Sequence, residues 1–180
     1  MDSEKYRERI KSVLITRESI ANGLVKVGKY IDGNYSGKPL IIVGILKGSF
    51  VFLADLAKTV TIPCEFGFMA AQSYYGGTES TGEVRITLDL QQDISKYHVI
   101  IAEDIIDTGR TLKAVVDILR ARNPLSLEII ALLDKPERRI ADIQADYTVF
   151  TIPDKFVVGY GLDYGEYYRN LPYIAEIESE

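Results

Sequence analysis

Cysteine and histidine are almost missing from this chain. Cys64 is the only cysteine and His98 the only histidine among 180 residues. A single cysteine forms no internal disulfide, and the expected role of Cys64 is that of a small buried hydrophobe. One histidine supports neither a zinc site nor a Ser-His triad, so His98 is expected at the surface or at the entry of a strand. A basic surplus is missing too. Lys and Arg number 21 against 26 Asp and Glu, a net charge of −5, which leaves no electrostatic footprint for nucleic acid. No apolar run approaches the ~18 residues of a membrane helix, and the N-terminal Met-Asp-Ser-Glu-Lys-Tyr-Arg-Glu-Arg is too charged for a secretory signal. There is no internal repeat and no low-complexity segment. The expectation is a cytoplasmic protein without nucleic-acid or membrane partners, and the length of 180 residues predicts one domain over 1–180.

What is present centres on one stretch, Val99-Ile100-Ile101-Ala102-Glu103-Asp104-Ile105-Ile106-Asp107-Thr108-Gly109-Arg110-Thr111-Leu112. Its apolar opening is short and β-branched, the pattern of a buried parallel strand. Two carboxylates follow at the strand's end, then Asp-Thr-Gly-Arg-Thr, then a helical pattern with Leu112, Val115, Val116 and Leu119 on one face. Open α/β sheets bind ligands outside the carboxyl ends of their strands. A turn running into a helix N-terminus offers backbone N–H groups and a positive dipole end to a phosphate. Thr108 and Thr111 add hydroxyl donors, and Gly109 allows close approach and φ > 0. Carboxylates placed like Glu103 and Asp104 can accept hydrogen bonds from ribose hydroxyls or hold Mg2+ through oxygen. Phosphate and carboxylate repel, so the pairing points to a sugar between them or a cation beside them.

This stretch resembles the phosphoribosyl pyrophosphate (PRPP) signature of the type I phosphoribosyltransferases: an apolar strand, two acids, two variable residues, then Asp-Thr/Ser-Gly-x-Thr. The remaining chain is read around it. A helix is predicted from Thr16, a possible N-cap, to about Tyr35, with Ile20, Leu24, Val27 and Ile31 inward. Leu40 to Ile45 is a second buried strand, followed by Leu46-Lys47-Gly48-Ser49 and a helix burying Phe52, Leu53 and Leu56. Lys47 and the amides near Gly48 fit either an anion site or a plain turn. Glu65 to about Ala71 is a third strand. The small, polar, Gly-punctuated segment from Ser73 and Tyr74 to Gly82 reads as a loop. Beyond it Val84, Ile86, Leu88 and Leu90 alternate with polar residues, which points to a flap on a β-hairpin. Ser126 to Leu133 forms another buried strand, after which Pro136 holds Lys135 extended at the ligand edge of the sheet. Tyr147 to Ile152 is a further strand, and Pro153-Asp154-Lys155 a turn.

The chain closes on Asp-Lys-Phe-Val-Val-Gly-Tyr-Gly-Leu-Asp-Tyr-x-Glu-x-x-Arg-Asn-Leu-Pro. This run is similar to the C-terminal signature of hypoxanthine-guanine phosphoribosyltransferases, and with the other motifs the resemblance covers about residues 40 to 174 in order. It implies an α/β fold in which a parallel sheet of about five strands is flanked by helices, with the flap and C-terminal strands as a small hood. It implies transfer of 5-phosphoribose from PRPP to N9 of hypoxanthine or guanine, with Mg2+, in a homodimer or homotetramer. In that family the Leu-Lys-Gly turn holds pyrophosphate, often across a non-proline cis peptide, and Ser73-Tyr74 matches the pair that opens a catalytic lid, although Tyr75 and Glu79 depart from the usual Gly and Lys. The implied roles are as follows. Glu103 and Asp104 hold the ribose hydroxyls directly or through Mg2+, and Asp107 to Leu112, Arg110 included, takes the 5′-phosphate. Lys47, Gly48 and Arg169 neutralise pyrophosphate. Lys135, Phe156, Val157 and Asp163 hold the purine, Asp163 with a second Mg2+, and Asp107 is the general base. Two rivals share the PRPP motif: a PRPP-binding regulator without catalysis, and a transferase for xanthine or a pyrimidine.

Overall fold

A computed structural model describes residues 9–73 and 84–178. Its main sheet has six strands in the order β4-β3-β2-β5-β6-β7. These are β2 (Leu40–Leu46), β3 (Glu65–Ser73), β4 (Val84–Leu88), β5 (His98–Ile106), β6 (Ser126–Asp134) and β7 (Tyr147–Thr151). All neighbours are parallel except β4, which pairs antiparallel with β3. Alternation along the strands sorts the core into two layers. Leu40 and Ile42 of β2, Ile100 and Ala102 of β5, and Ile130 and Leu132 of β6 pack against α1 (Arg17–Tyr35) and α2 (Phe50–Leu56). Ile41 and Val43, Val99 and Ile101, and Ile129 and Ala131 face α3 (Arg110–Arg120) on the other side. The inward positions expected of each helix are buried. Thr16 caps α1 by accepting from Ser19 N–H at 3.1 Å. No helix among the described residues is long and apolar enough to cross a membrane.

The expected parallel sheet of about five strands is present as β3, β2, β5, β6 and β7. Three expectations need correction. The flap strand β4 is not in the hood but adds an antiparallel sixth strand at the edge of the main sheet. The hood is a separate antiparallel sheet of β1 (Ile10–Ile15), β9 (Ile174–Ile177) and β8 (Val157–Val158). Nothing in the sequence reading anticipated β1. The alternation read through Leu90 stops earlier: Leu88 is exposed, while Leu90, beyond the strand, plugs the α3-side core. Cys64 is only half-buried. His98 opens β5 with Nδ1 2.8 Å from Ser126 Oγ, an entry position as read from the sequence.

The connections place the site. From β2 the chain passes through α2 to β3 on one side, and from β5 through α3 to β6 on the other. The strand order therefore reverses between β2 and β5, and the crevice outside their carboxyl ends is where such sheets bind ligands.

Candidate active site

Two adjoining depressions open at that crevice. One, of about 240 Å3, is lined by Leu46, Gly48, Glu103, Asp104 and the turn from Asp107 into α3. The other, of about 420 Å3, shares Asp104 and Asp107 and is walled by Lys135, Arg138, Asp154, Phe156, Val157 and Asp163. So the strand-turn-helix segment, the lysine-proline strand end and the C-terminal signature meet in space.

The turn after β5 is held from behind. Gly109 takes φ +78° as the residue before α3, and an added Cβ would lie 2.7 Å from Ile143. The first helical bond runs from Lys113 N–H to Gly109 O at 2.9 Å, so the preceding amides face out of the helix N-terminus. The Thr108 carbonyl accepts from Ile140 and Ala141 N–H, both at 3.0 Å. Arg139 clamps the same turn. Its guanidinium donates to the carbonyls of Asp107 (3.0 Å), Ile106 (3.1 Å) and Ile143 (2.7 Å) and to the Asp134 carboxylate. Thr108, Gly109 and Thr111 line the depression, whereas the Arg110 side chain is exposed outside it.

β5 continues through both acids to Ile106. Glu103 is buried, and its Oε2 has no hydrogen-bond partner. Burial, then the charge of Asp104, raises its pKa well above the usual carboxylate range. Burial likewise pushes Asp104 up to about 6, against the opposing pull of the Ile105 N–H, 2.9 Å from Oδ1, and of Arg169. Gly48 passes so close that a Cβ there would sit 1.7 Å from Asp104 Oδ2. A buried acid with an unpartnered oxygen beside a half-buried one fits a cation. Among the described residues no three or more His, Cys, Asp or Glu gather into a metal cage. Mg2+, however, commonly takes only one or two carboxylates and completes its shell with water and substrate phosphates.

The second depression has a different character. Lys135 is buried with φ −114° and ψ 81°, and its Nζ donates to Lys155 O at 2.5 Å. Burial lowers the pKa of this ammonium. Phe156 remains 44% exposed, so a ring face is available, and it meets Tyr164 edge to face at 5.6 Å. Ile177 N–H donates to Phe156 O, and Val157 stands opposite Glu176 in the next register position. By antiparallel alternation the Val157 N–H and C=O turn away from β9, to the free edge of β8. Arg138 Nε lies 3.0 Å from Asp107 Oδ1, and Arg138 Nη1 lies 3.6 Å from Asp154.

At the opposite rim, the Leu46–Lys47 peptide is cis. Lys47 Nζ lies 2.8 Å from Glu166 Oε2. Arg169 Nη1 donates to Gly161 O at 2.8 Å, and Nη2 pairs with Asp163 Oδ1 at 2.8 Å and Glu166 Oε1 at 3.2 Å. Gly161 has φ +102°, and a Cβ there would strike the Gly48 carbonyl at 2.0 Å, which locks the C-terminal signature against the Lys47-Gly48 turn. Tyr160 is pinned alongside by a 2.8 Å hydrogen bond to Asp55 of α2.

The family model described as the phosphoribosyl transferase domain matches residues 16–165. The chain belongs to the phosphoribosyltransferase family. It is 53% identical over 171 residues to a hypoxanthine-guanine phosphoribosyltransferase of Staphylococcus aureus, covering 95% of this chain and 96% of the relative. It is 51% identical over 171 residues to the enzyme of that name from Streptococcus pneumoniae, covering 95% of each. A crystal structure of a hypoxanthine phosphoribosyltransferase from S. aureus superposes with a TM-score of 0.92 at 51% identity, over 99% of this chain and 96% of the other.

Within this phosphoribosyltransferase, Lys47, Gly48, Glu103, Asp104, Asp107, Thr108, Gly109, Thr111, Lys135, Phe156, Val157, Asp163 and Arg169 all gather at the crevice or its rim. Ser73 ends β3 opposite Val84. Its side chain, and Tyr74 with the rest of the expected lid to residue 83, fall outside the described residues. Arg138 and Arg139 were not singled out by sequence reasoning, and Glu166, a position of the C-terminal signature, was given no role of its own. The first two sit in the charged run Asp134 to Arg139, where nothing local separates a clamp from a solvated charge.

Proposed function

We propose that the protein transfers the 5-phosphoribosyl group of PRPP to N9 of hypoxanthine or guanine, a purine-salvage reaction requiring Mg2+. The observation that carries this is the placing of an acid pair, Glu103 buried with an unpartnered oxygen and Asp104 half-buried, between a phosphate turn and an aromatic-walled pocket. In this reading a sugar bearing a 5′-phosphate links the turn and the pocket, which share Asp104 and Asp107, with its hydroxyls over the acids. The relatives' names support the same reaction.

In this reading the turn from Asp107 to Leu112 binds the 5′-phosphate through its amides and the Thr108 and Thr111 hydroxyls. Glu103 and Asp104 hold the ribose hydroxyls and, with Asp163, the metal side of the site. Mg2+ supplies charge neutralisation for the phosphates it binds. Phe156 stacks on the purine, the Val157 backbone meets its edge, and Lys135 donates to its 6-oxo group. The C1–O bond to pyrophosphate breaks with its electron pair leaving on pyrophosphate, where Lys47, the Gly48 turn and Arg169 receive the charge. The N9–C1 bond forms from the opposite side, and the proton the purine loses passes to the Asp107 carboxylate.

Chelation tests the metal and the reaction together. With PRPP and hypoxanthine, nucleotide formation stops when EDTA exceeds divalent metal and returns on adding Mg2+. Turnover that persists under chelation contradicts the metal assignment. No nucleotide from either 6-oxopurine at any Mg2+ concentration contradicts the reaction.

A further inference from the structure

We infer that Glu166 is an internal competitor for the pyrophosphate subsite, its carboxylate bridging Lys47 and Arg169 in the place the leaving group takes. This rests on the reading of Lys47 and Arg169 as the pyrophosphate cations. Glu166 Oε2 lies 2.8 Å from Lys47 Nζ and Oε1 lies 3.2 Å from Arg169 Nη2. Two oxygens of one planar anion thus face two cations that are 122 residues apart in sequence (169 − 47). Two oxygens of a phosphate group can meet the same two cations one each, through charge-assisted hydrogen bonds.

The turn carrying Glu166 is built to put it there. Tyr164 and Tyr167 exchange both backbone hydrogen bonds at 3.2 Å. Between them Gly165 and Glu166 have φ of +60° and +71°, the signature of a two-residue type I′ turn. Glycine or asparagine suits those positions, and a bulky acid in the left-handed region is disfavoured. A residue held there against its preference is a functional candidate. Asp163 Oδ2 accepts from the Glu166 N–H at 2.9 Å and fixes the turn further. Asp163 meanwhile holds the same guanidinium nitrogen from the other side at 2.8 Å. Without ligand, each pyrophosphate cation therefore already has a carboxylate.

The exchange is inexpensive because the pair is open to water: the Lys47 and Glu166 side chains are 67% and 63% exposed, and exposed ion pairs contribute little. Incoming pyrophosphate, or the pyrophosphate arm of PRPP, displaces Glu166 without a large penalty. On product release the carboxylate returns and screens the two cations. No covalent bond changes; one ion pair replaces another.

The test compares the whole protein with Glu166→Gln and Lys47→Ala, using inorganic pyrophosphate with Mg2+ as the probe. Calorimetric titration gives Kd, and inhibition of the forward reaction gives a second value. Gln keeps the shape and the turn while removing the charge. The expected result is pyrophosphate binding about two- to five-fold tighter in Glu166→Gln, the scale of an exposed ion pair, with the KM for hypoxanthine unchanged. A merely structural loosening moves that KM as well. Lys47→Ala weakens pyrophosphate binding. If Lys47→Ala weakens binding while Glu166→Gln leaves it unchanged or weaker, Glu166 is not a competitor although the subsite stands. If neither variant changes binding, the subsite reading and the inference fall together.

Discussion

Replacing Asp107 by Asn lowers kcat by about 10²–10⁴, the usual worth of general acid–base catalysis. The carboxylate sits where the phosphate turn and the purine pocket meet, lining both. Asn matches its shape but takes no proton at neutral pH. Binding of PRPP changes far less, because the turn is built from backbone amides and is clamped by Arg139 through the Asp107 carbonyl, which the substitution leaves in place. Steady-state kinetics with saturating PRPP and hypoxanthine separate the two effects. A kcat near that of the unaltered protein shows that the purine proton goes elsewhere, whereas a large rise in the KM for PRPP alone assigns Asp107 to phosphate binding.

Lys135→Gln changes which purine the pocket accepts. Lys135 is buried, its ammonium anchored to the Lys155 carbonyl, so it presents donors only. A carbonyl at purine C6 satisfies it, while the 6-amino group of adenine places donor against donor. Sites built around a buried polar partner reject the mismatched substrate by about 10⁴ or more. The amide of Gln both donates and accepts. It therefore weakens the use of hypoxanthine and narrows its advantage over adenine. The measurement is kcat/KM for both bases in both proteins. Equal use of adenine by the unaltered protein, or an unchanged ratio in the variant, removes Lys135 from base recognition.

The legible parts of the chain were those where one physical signal dominates. The buried apolar runs at Leu40 to Ile45 and Val99 to Ala102, and the helical spacing of Leu112, Val115, Val116 and Leu119, each depend on residues a few positions apart. Pro136 keeps Lys135 out of the helical region, as read, but the expected extended backbone is not reached: ψ is 81°, and Lys135 caps a short 3-10 turn at Pro136–Arg138. Elements whose pattern is broken were lost. In β1, pairing with β9 shifts register between Ile10 and Ser12 and again between Val13 and Ile15. Val13 is consequently 49% exposed, and no period of two survives to be read. The hairpin was read correctly, with β4 antiparallel to β3, but its alternation does not say which sheet the hairpin joins, and the assignment to the hood failed because β3 pairs with β2 in the main sheet. The burial of Lys135 arises from a carbonyl 20 residues downstream, and the bridging position of Glu166 from a lysine 119 residues upstream. Neither contact leaves a mark in local sequence. The acids were legible as a pair, but the lone Glu103 oxygen and the Gly48 backbone pressed on Asp104 became visible only when β2 and β5 were set side by side.

The most direct measurement is PRPP consumption by the purified protein against a panel of free bases, namely hypoxanthine, guanine, xanthine, adenine and uracil, with Mg2+ present. The account predicts rapid consumption with hypoxanthine or guanine, release of one pyrophosphate per nucleotide formed, and little reaction with adenine or uracil. Consumption with uracil or adenine in preference to the 6-oxopurines, or PRPP binding with no base-dependent turnover at all, contradicts it.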